Sequence, residues 1–389
     1  MSGLDYPTFP AFAFLGLLAS IIPLPWHLQA WNAGTCYYMM WTALACLNQF
    51  VNSIVWHRNA INWAPVWCDI SIRIMLGSSV GIPAASLCIN RRLYKIAKVQ
   101  AVTVTRAEKR RAVLIDTLIC VLFPLIFVAL QYVNQGHRFD IYEDVGCYPF
   151  IYNTIVAFLL TDIWPIIVGL ISAVYCGLSL RAFYQRRAQF SQFLSSNTTL
   201  TASRYFRLMA LSTTELCCTI PLASFMIWVN SSAAPVEPWI SWENTHHDFS
   251  FVGQYPSVLW AQDSLFVVAV QLTRWLVIAC AFIFFAFFGF AAEARKNYRA
   301  GFGAVMKLLR FHPTASVSAR LDSTARLVVA ASGHSLPVYS VKEKDRLSFP
   351  DSIAKFCEES DTISPDSTPS EVSFPDIPSG TTLPIGLAV

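Results

Sequence analysis

The sequence predicts an all-α membrane protein, a bundle of seven transmembrane helices with an outside amino terminus, a cytoplasmic carboxyl terminus and a disordered tail. Three observations predict it. Of the 389 residues, 55% are apolar and only 13% are charged, whereas soluble domains have roughly 25% charged residues. The 52 residues from Tyr6 to His57 contain no Asp, Glu, Lys or Arg. Seven apolar runs approach or exceed the roughly 20 residues that a transmembrane helix needs.

The runs lie near residues 9–25, 35–55, 69–90, 112–133, 152–180, 208–229 and 263–290. Pro23 and Pro25 separate the first two, because two prolines this close cannot both lie inside a continuing helix. The amino terminus lacks the basic segment of a signal peptide, so we expect the first run to remain in the mature protein.

The basic residues predict the orientation of the bundle, because Lys and Arg are concentrated in cytoplasmic connections. The connections that follow the third, fifth and seventh runs contain 18 of them. The connections on the other side contain only Arg58 and Arg138. The first inner connection has none, so the later runs are expected to determine the orientation.

The composition divides the chain into three regions. Residues 1–290 form the predicted bundle. Residues 291–310 combine an apolar stripe with basic residues, which is typical of an amphipathic helix on a membrane surface. In residues 311–389, 28 of 79 are Ser, Thr or Pro, and this composition predicts a disordered cytoplasmic tail.

Ionisable residues inside apolar runs are costly in lipid and are therefore functional candidates. Six are found, and these are Asp69, Arg73, Asp116, Asp162, Glu215 and Arg274. Asp162 and Arg274 lie at the same depth and could pair, while Asp69 and Arg73 are one helical turn apart and could pair with each other. The alternative for each residue is an ordinary polar contact between helices.

The functional interpretation is a ligand pocket in the outer half of the bundle. Its predicted ligand residues are Asp69, Arg73, Asp162, Asp263 and Arg274. Glu215 is assigned to a latch on the cytoplasmic side, and Pro221 to a hinge, because a proline removes a hydrogen bond from the middle of a helix.

Only two of the eleven cysteines, Cys68 and Cys147, fall in predicted loops or span ends that face the oxidising side. They are placed to form a disulfide that fastens the second outer loop to the bundle. The alternative is a pair of free thiols.

Several functional classes lack their sequence signals. No metalloprotease, nucleophile-elbow, Walker A or dinucleotide-binding motif is present, so no enzyme activity, cofactor or metal is expected. A retinal protein needs a lysine within a span, and all lysines lie outside the apolar runs. A seven-helix sugar transporter would show two similar three-helix repeats, and no such similarity is found between the first three and the last three runs. Nothing in the sequence indicates binding to nucleic acid.

Four stretches carry a family resemblance. They are Pro-Leu-Pro-Trp-His-Leu-Gln-Ala-Trp-Asn at 23–32, Cys-Asp-Ile at 68–70, Gly-Ile-Pro-Ala-Ala-Ser at 81–86 leading to Arg91-Arg92-Leu93-Tyr94, and Arg-Tyr-Phe-Arg-Leu-Met at 204–209 followed by Glu215 and Pro221. Over roughly residues 5–300, the sequence resembles the fungal mating-pheromone receptors of the a-factor type. These are class D G-protein-coupled receptors that recognise farnesylated peptides.

The resemblance implies a plasma-membrane receptor whose partners are a farnesylated peptide pheromone, a heterotrimeric G protein and membrane lipids. It assigns the G-protein face to Arg91, Arg92, Arg186, Arg187, Arg204 and Arg207, although topology and lipid contact also account for arginines there. A transporter or channel gated by Asp162 and Arg274 is the alternative function. Dimerisation is left open.

Overall fold

The computed structural model describes residues 6–98, 105–185, 202–233 and 235–290, together with residues 294, 298 and 299. The predicted tail at 311–389 lies outside these residues, as does nearly all of the predicted surface helix at 291–310.

Helices dominate this part of the chain. In order they are α1 (Thr8–Ile21), α2 (Leu24–Gln29), α3 (Ala33–Val55), α4 (Pro65–Lys98), α5 (Arg106–Thr117), α6 (Phe123–Gln131), α7 (Ile155–Ala157), α8 (Trp164–Gln185), α9 (Ala202–Ala233), α10 (Trp242–Thr245), α11 (Ser257–Trp260) and α12 (Ser264–Phe288). Two π-helical turns, Leu118–Leu122 and Phe158–Asp162, continue the helical path from α5 to α6 and from α7 towards α8.

Five helical stretches are long and apolar enough to cross a membrane: Pro65–Lys98, Arg106–Asn134, Trp164–Gln185, Tyr205–Ser232 and Ser264–Phe288. The two remaining predicted runs correspond to α1 and α3. Helix α3 has 23 residues but is less apolar, because it carries buried Asn48, Gln49 and Asn52. The count of seven spans therefore stays a prediction.

The predicted first run, 9–25, was too long. Helix α1 has 14 residues and ends at Ile21, and the separate helix α2 begins at Leu24. Pro23 lies between them, and Pro25 is in the first turn of α2, where a missing backbone N–H costs little. The two prolines thus end one helix and start the next.

Helix α4 lies at the centre of the bundle, in contact with α3, α8 and α9. In its most apolar stretch, 78% of the residues are buried, against 18–33% in the other four candidate spans. Residues 81–86 (Gly-Ile-Pro-Ala-Ala-Ser) are buried, and the four small ones, Gly and Ser at the ends and the two Ala, allow close approach of neighbouring helices. Helix α12 packs against α1, α3 and α9.

A three-stranded sheet covers one end of the helices, and the all-α prediction did not include it. Strands β1 (Phe139–Tyr142) and β2 (Gly146–Tyr148) form an antiparallel hairpin. Strand β3 (Val252–Tyr255) pairs in parallel with β1. We call this the hairpin end of the bundle. The opposite end, at which Arg91 and Arg92 lie, is called the basic end, roughly 35 Å along α4 from Cys68 at 1.5 Å per residue.

Candidate functional site

A cavity of about 330 Å³ lies at the hairpin end. Five segments that are far apart in the sequence form its wall. They contribute Tyr6, Phe9 and Pro10 at α1, Ser53 and His57 near the end of α3, Asp144 and Val145 in the hairpin turn, Ser257, Val258, Trp260 and Ala261 around α11, and Val267, Gln271 and Arg274 in α12.

Arg274 is the charged residue at the α12 wall of the cavity and is only 3% exposed. Its Nη2 donates a hydrogen bond to the backbone carbonyl of Asp144 at 3.1 Å, and its Nη1 donates to Oε1 of Gln271 at 3.4 Å. The guanidinium also lies over the ring of Phe9, 3.9 Å from the centroid. Because three segments hold it, the cation is fixed in position at the cavity wall.

Asp144 connects the hairpin turn to the end of α3. Its Oδ1 lies 3.1 Å from Nδ1 of His57 and accepts a hydrogen bond from the backbone N–H of Arg58 at 3.0 Å. The His57 ring stacks on Tyr6, with centroids 3.8 Å apart. One row of contacts therefore runs from Tyr6 through His57 and Asp144 to Arg274.

A disulfide holds the hairpin in place, and polar contacts join α3 to α4 beneath it. A disulfide joins Cys68 in the first turn of α4 to Cys147 in β2. Below the turn, Nδ2 of Asn52 donates to Oγ of Ser71 at 2.9 Å, and Nε1 of Trp67 donates to Oδ1 of Asn52 at 2.8 Å. These bonds satisfy polar groups that would otherwise be costly to bury.

Part of the sheet is buried, and Phe139 and Ile141 of β1 are 0% exposed. Burial raises the pKa of Tyr148 to about 12, and burial together with the nearby Asp140 carboxylate raises the pKa of Tyr142. Asp140 is 3% exposed and its Oδ1 lies 2.7 Å from Nε2 of His137. The sheet is therefore a packed cover and not a loose loop.

The predicted pairing of Asp69 with Arg73 is wrong. Asp69 instead accepts two hydrogen bonds from Arg138, at 3.0 and 2.6 Å, and this contact raises the pKa of Arg138. Arg73 donates to Oε1 of Gln131 at 2.8 Å and to Oε1 of Gln135 at 2.5 Å. Asp69 and Arg73 therefore bind residues of α6 and of the loop after it, and not each other.

The predicted pairing of Asp162 with Arg274 is also wrong, although both lie in the half of the bundle nearer the hairpin. Asp162 accepts a hydrogen bond from Nδ2 of Asn230 at 3.5 Å, on α9, whereas Arg274 faces α1 and the hairpin. Asp263 caps α12 by accepting from the backbone N–H groups of Leu265 and Phe266. Of the five predicted ligand residues, Arg274 lines the cavity and the other four do not.

Sequence reasoning missed most of the cavity. Gln271 and Val267 could have been found, because they lie three and seven residues before Arg274 and so share its helix face. His57 and Asp144 gave no signal, since their contact joins residues 87 positions apart across a hairpin that was not predicted.

At the basic end, Nη2 of Arg91 lies 2.5 Å from Oδ1 of Asp116, which is 5% exposed, so this pair joins α4 to α5. Arg92 donates to the carbonyl of Trp31 at 2.7 Å, and Arg207 lies over the ring of Phe288. Arg186 and Arg187 lie outside the described residues, as do the side chains of Arg204 and Glu215. Pro221 lies within α9.

Potential metal ligands do not cluster in the part of the chain that the structure describes: no group of three or more His, Cys, Asp or Glu side chains there could hold an ion.

Comparison with known proteins gives a consistent result. The family model described as STE3, pheromone A receptor, matches residues 8–308. The chain is 60% identical over 304 residues to the pheromone B alpha 3 receptor of Schizophyllum commune, which covers 78% of the chain and 49% of that relative. It is 35% identical over 322 residues to pheromone receptor 1 of Mycosarcoma maydis, and the match covers 81% of the chain and 88% of that relative.

A more distant relative is the pheromone a factor receptor of Saccharomyces cerevisiae, which is 26% identical over 295 residues, covering 73% of the chain and 60% of that relative. The chain spans about half the length of the Schizophyllum alpha receptors that it matches, with covered shares of 49%, 46% and 47%.

Proposed function

The chain belongs to the STE3 pheromone A receptor family, and from this premise we propose that it is a seven-helix G-protein-coupled receptor for a farnesylated peptide pheromone. Pheromone binding promotes nucleotide exchange on a heterotrimeric G protein. The family is a receptor family and not an enzyme family, and its multiple apolar helices agree with a multi-pass protein of the plasma membrane.

The observation that carries the proposal is the cavity at the hairpin end. It combines apolar walls with a few fixed polar groups, which is typical of sites for small ligands. A disulfide-bonded hairpin partly covers it, and α12 connects its Arg274 wall with the basic end. A ligand that shifts α12 or the hairpin can therefore shift the population of states at the other end.

The hairpin end faces outwards in this proposal and the basic end faces the cytoplasm. The excess of Lys and Arg in the connections at the basic end supports this orientation. Residues 1–290 then form the receptor bundle, residues 291–310 the membrane-surface helix and residues 311–389 the cytoplasmic tail. Lipids contact the exposed apolar side chains of the outer helices, such as Leu15, Leu125 and Leu170.

The G-protein face is proposed at the basic end. It comprises Arg91, Arg92, Arg186, Arg187, Arg204 and Arg207, with Glu215 and Pro221 in the moving part of α9. Among the predicted ligand residues, Arg274 is the one that the cavity favours. A ligand role for Asp69, Arg73, Asp162 and Asp263 stays a prediction. The contacts of the first three residues also link separate elements, and Asp263 caps its own helix.

Nucleotide exchange tests the proposal directly. The purified receptor is placed in lipid nanodiscs with a fungal heterotrimeric G protein, and a panel of synthetic peptides ending in a farnesylated cysteine methyl ester is added. At least one peptide should accelerate GTP uptake, and the same peptide without the farnesyl group serves as the matched control.

The transporter alternative has a different result. If no peptide in the panel stimulates exchange and the receptor supports solute flux in sealed vesicles, the receptor proposal is wrong. The structure does not favour a gate made by Asp162 and Arg274, because these residues contact different elements.

A further inference from the structure

The cavity wall combines polar and apolar groups. Its polar groups belong to residues that include His57, Asp144, Gln271 and Arg274, and its apolar residues include Phe9, Val258 and Val267. On the basis of the proposed function, we infer that this cavity holds a short part of the peptide, with a carbonyl or carboxylate oxygen facing Arg274 and Gln271. The isoprenoid chain lies outside the cavity, in the lipid next to its mouth.

The polar part of the cavity wall is unsuited to a hydrocarbon. An isoprenoid chain pressed against His57 and Asp144, whose side chains are 25% and 17% exposed, would remove water from this pair and supply no hydrogen bond in return. A peptide carbonyl or carboxylate supplies an acceptor for guanidinium and amide N–H donors. The donors of Arg274 and Gln271 therefore select the peptide part of the ligand.

The size of the cavity excludes the complete ligand. Its volume of about 330 Å³ is at the lower end of the roughly 300–1,000 Å³ of ligand sites. It can take a short part of a lipopeptide, and not the peptide and the isoprenoid together.

The bilayer already provides a place for the isoprenoid. Lipid chains are as apolar as a hydrophobic cavity wall, so moving the chain from lipid into protein gains little hydrophobic free energy. At the cavity mouth, Val258 is 75% exposed, and the neighbouring Leu259 is 58% exposed. Both side chains are apolar and exposed, so they are accessible to an isoprenoid chain that lies beside the cavity.

Changing the isoprenoid length distinguishes a cavity that holds the peptide from one that holds the isoprenoid. One activating peptide is prepared with a geranyl, a farnesyl and a geranylgeranyl thioether, and each is tested on the wild type and on Val267→Phe, which narrows the cavity. The matched control is Val268→Phe, because Val268 is adjacent in α12, 53% exposed and not part of the cavity. The readout is the concentration for half-maximal nucleotide exchange.

We expect Val267→Phe to raise this concentration at least tenfold and by the same factor for all three chains, while Val268→Phe changes it less than twofold. Arg274→Lys, which keeps the charge but not the planar fork, should likewise give a loss that is independent of chain length. If the loss grows with chain length, or if Val267→Phe has no effect, the inference is wrong.

Failure of the proposed function and failure of the inference give different results. If the wild type responds to none of the peptides, the proposed function fails, whereas a chain-length-dependent loss overturns only the inference. If Val267→Phe does not reach the cell surface, Ala261→Leu narrows the cavity from the α11 side and gives the same readout.

Discussion

At the scale of single residues, Gly146 occupies a position that other residues do not fit. Its φ is +93°, and a Cβ there would lie 2.6 Å from Cβ of Asn52 and 3.1 Å from Cε3 of Trp56. Gly146→Ala should therefore destabilise the receptor by about 1–3 kcal/mol, through backbone strain and contact with α3. Thermal unfolding of the purified receptor measures this loss.

Gly177 provides the matched control for this substitution. It lies within α8, and a Cβ there would meet no atom within 4 Å. Gly177→Ala should be neutral or stabilising by up to about 1 kcal/mol, because alanine favours helix more than glycine does. Equal midpoints for Gly146→Ala and the wild type would contradict the account of the hairpin turn.

Residue positions along the length of the bundle were easier to predict than the directions in which side chains point. The sequence assigned Asp162 and Arg274 to one depth, and both lie in the half of the bundle nearer the hairpin. Their partners, Asn230 and the Asp144 carbonyl, depend on how each helix is rotated. Rotation is set by packing against neighbouring helices, and an amphipathic pattern is weak when lipid and core are both apolar.

At the scale of elements, the disulfide is expected to stabilise the cover over the cavity. Cys68 and Cys147 are 79 residues apart, and closing such a loop reduces the freedom of the unfolded chain, typically by about 2–4 kcal/mol. The double variant Cys68→Ser with Cys147→Ser should lower the unfolding midpoint and increase hydrogen exchange in β1 and β2.

Cys217 gives the control for this experiment, because it is an exposed free thiol. Cys217→Ser should leave the midpoint and the exchange of the hairpin unchanged. Alkylation of both Cys68 and Cys147 in the untreated, unreduced receptor would show that the bond is absent and would end this prediction.

A second prediction concerns the contact between α3 and α4. A Cβ at Gly81 would lie 2.5 Å from Cε2 of Trp41, whose Nε1 donates to the carbonyl of Cys120 at 2.8 Å. Gly81→Ala should displace the indole, break this bond to the π-helical turn and cost about 1–3 kcal/mol. Thermal unfolding and tryptophan emission report the change.

A double variant identifies the cause. With Trp41→Phe already present, the smaller ring leaves more space, so Gly81→Ala should cost less than it does in the wild type. A full, additive loss in the double variant would mean that contact with Trp41 is not the reason.

The elements themselves were predicted unevenly. Long apolar runs located the main helices because the requirement for hydrogen-bonded backbone in lipid leaves few alternatives to a helix. The sheet was missed, since β2 has only three residues and β3 pairs with β1 from more than 100 positions away. Short strands of this kind carry no periodicity of their own.

At the scale of the whole molecule, the family and the succession of helices could be predicted, whereas the cavity could not. Its walls come from segments between Tyr6 and Arg274, so it exists only after the bundle and its cover have assembled. The orientation could be predicted without knowing how the helices assemble, because the Lys and Arg residues are counted in each connection separately. The orientation is consequently the global property that the sequence predicts most directly.

That orientation can be tested with two matched substitutions. Ile240 is 67% exposed in the connection between α9 and α10, and Tyr184 is 75% exposed near the end of α8, at the opposite end of the bundle. In intact spheroplasts, a membrane-impermeant amine reagent should modify the lysine introduced by Ile240→Lys and spare the one introduced by Tyr184→Lys, as site-resolved mass spectrometry of the labelled receptor can determine. After permeabilisation both should react, and the reverse pattern in intact cells would place the amino terminus in the cytoplasm.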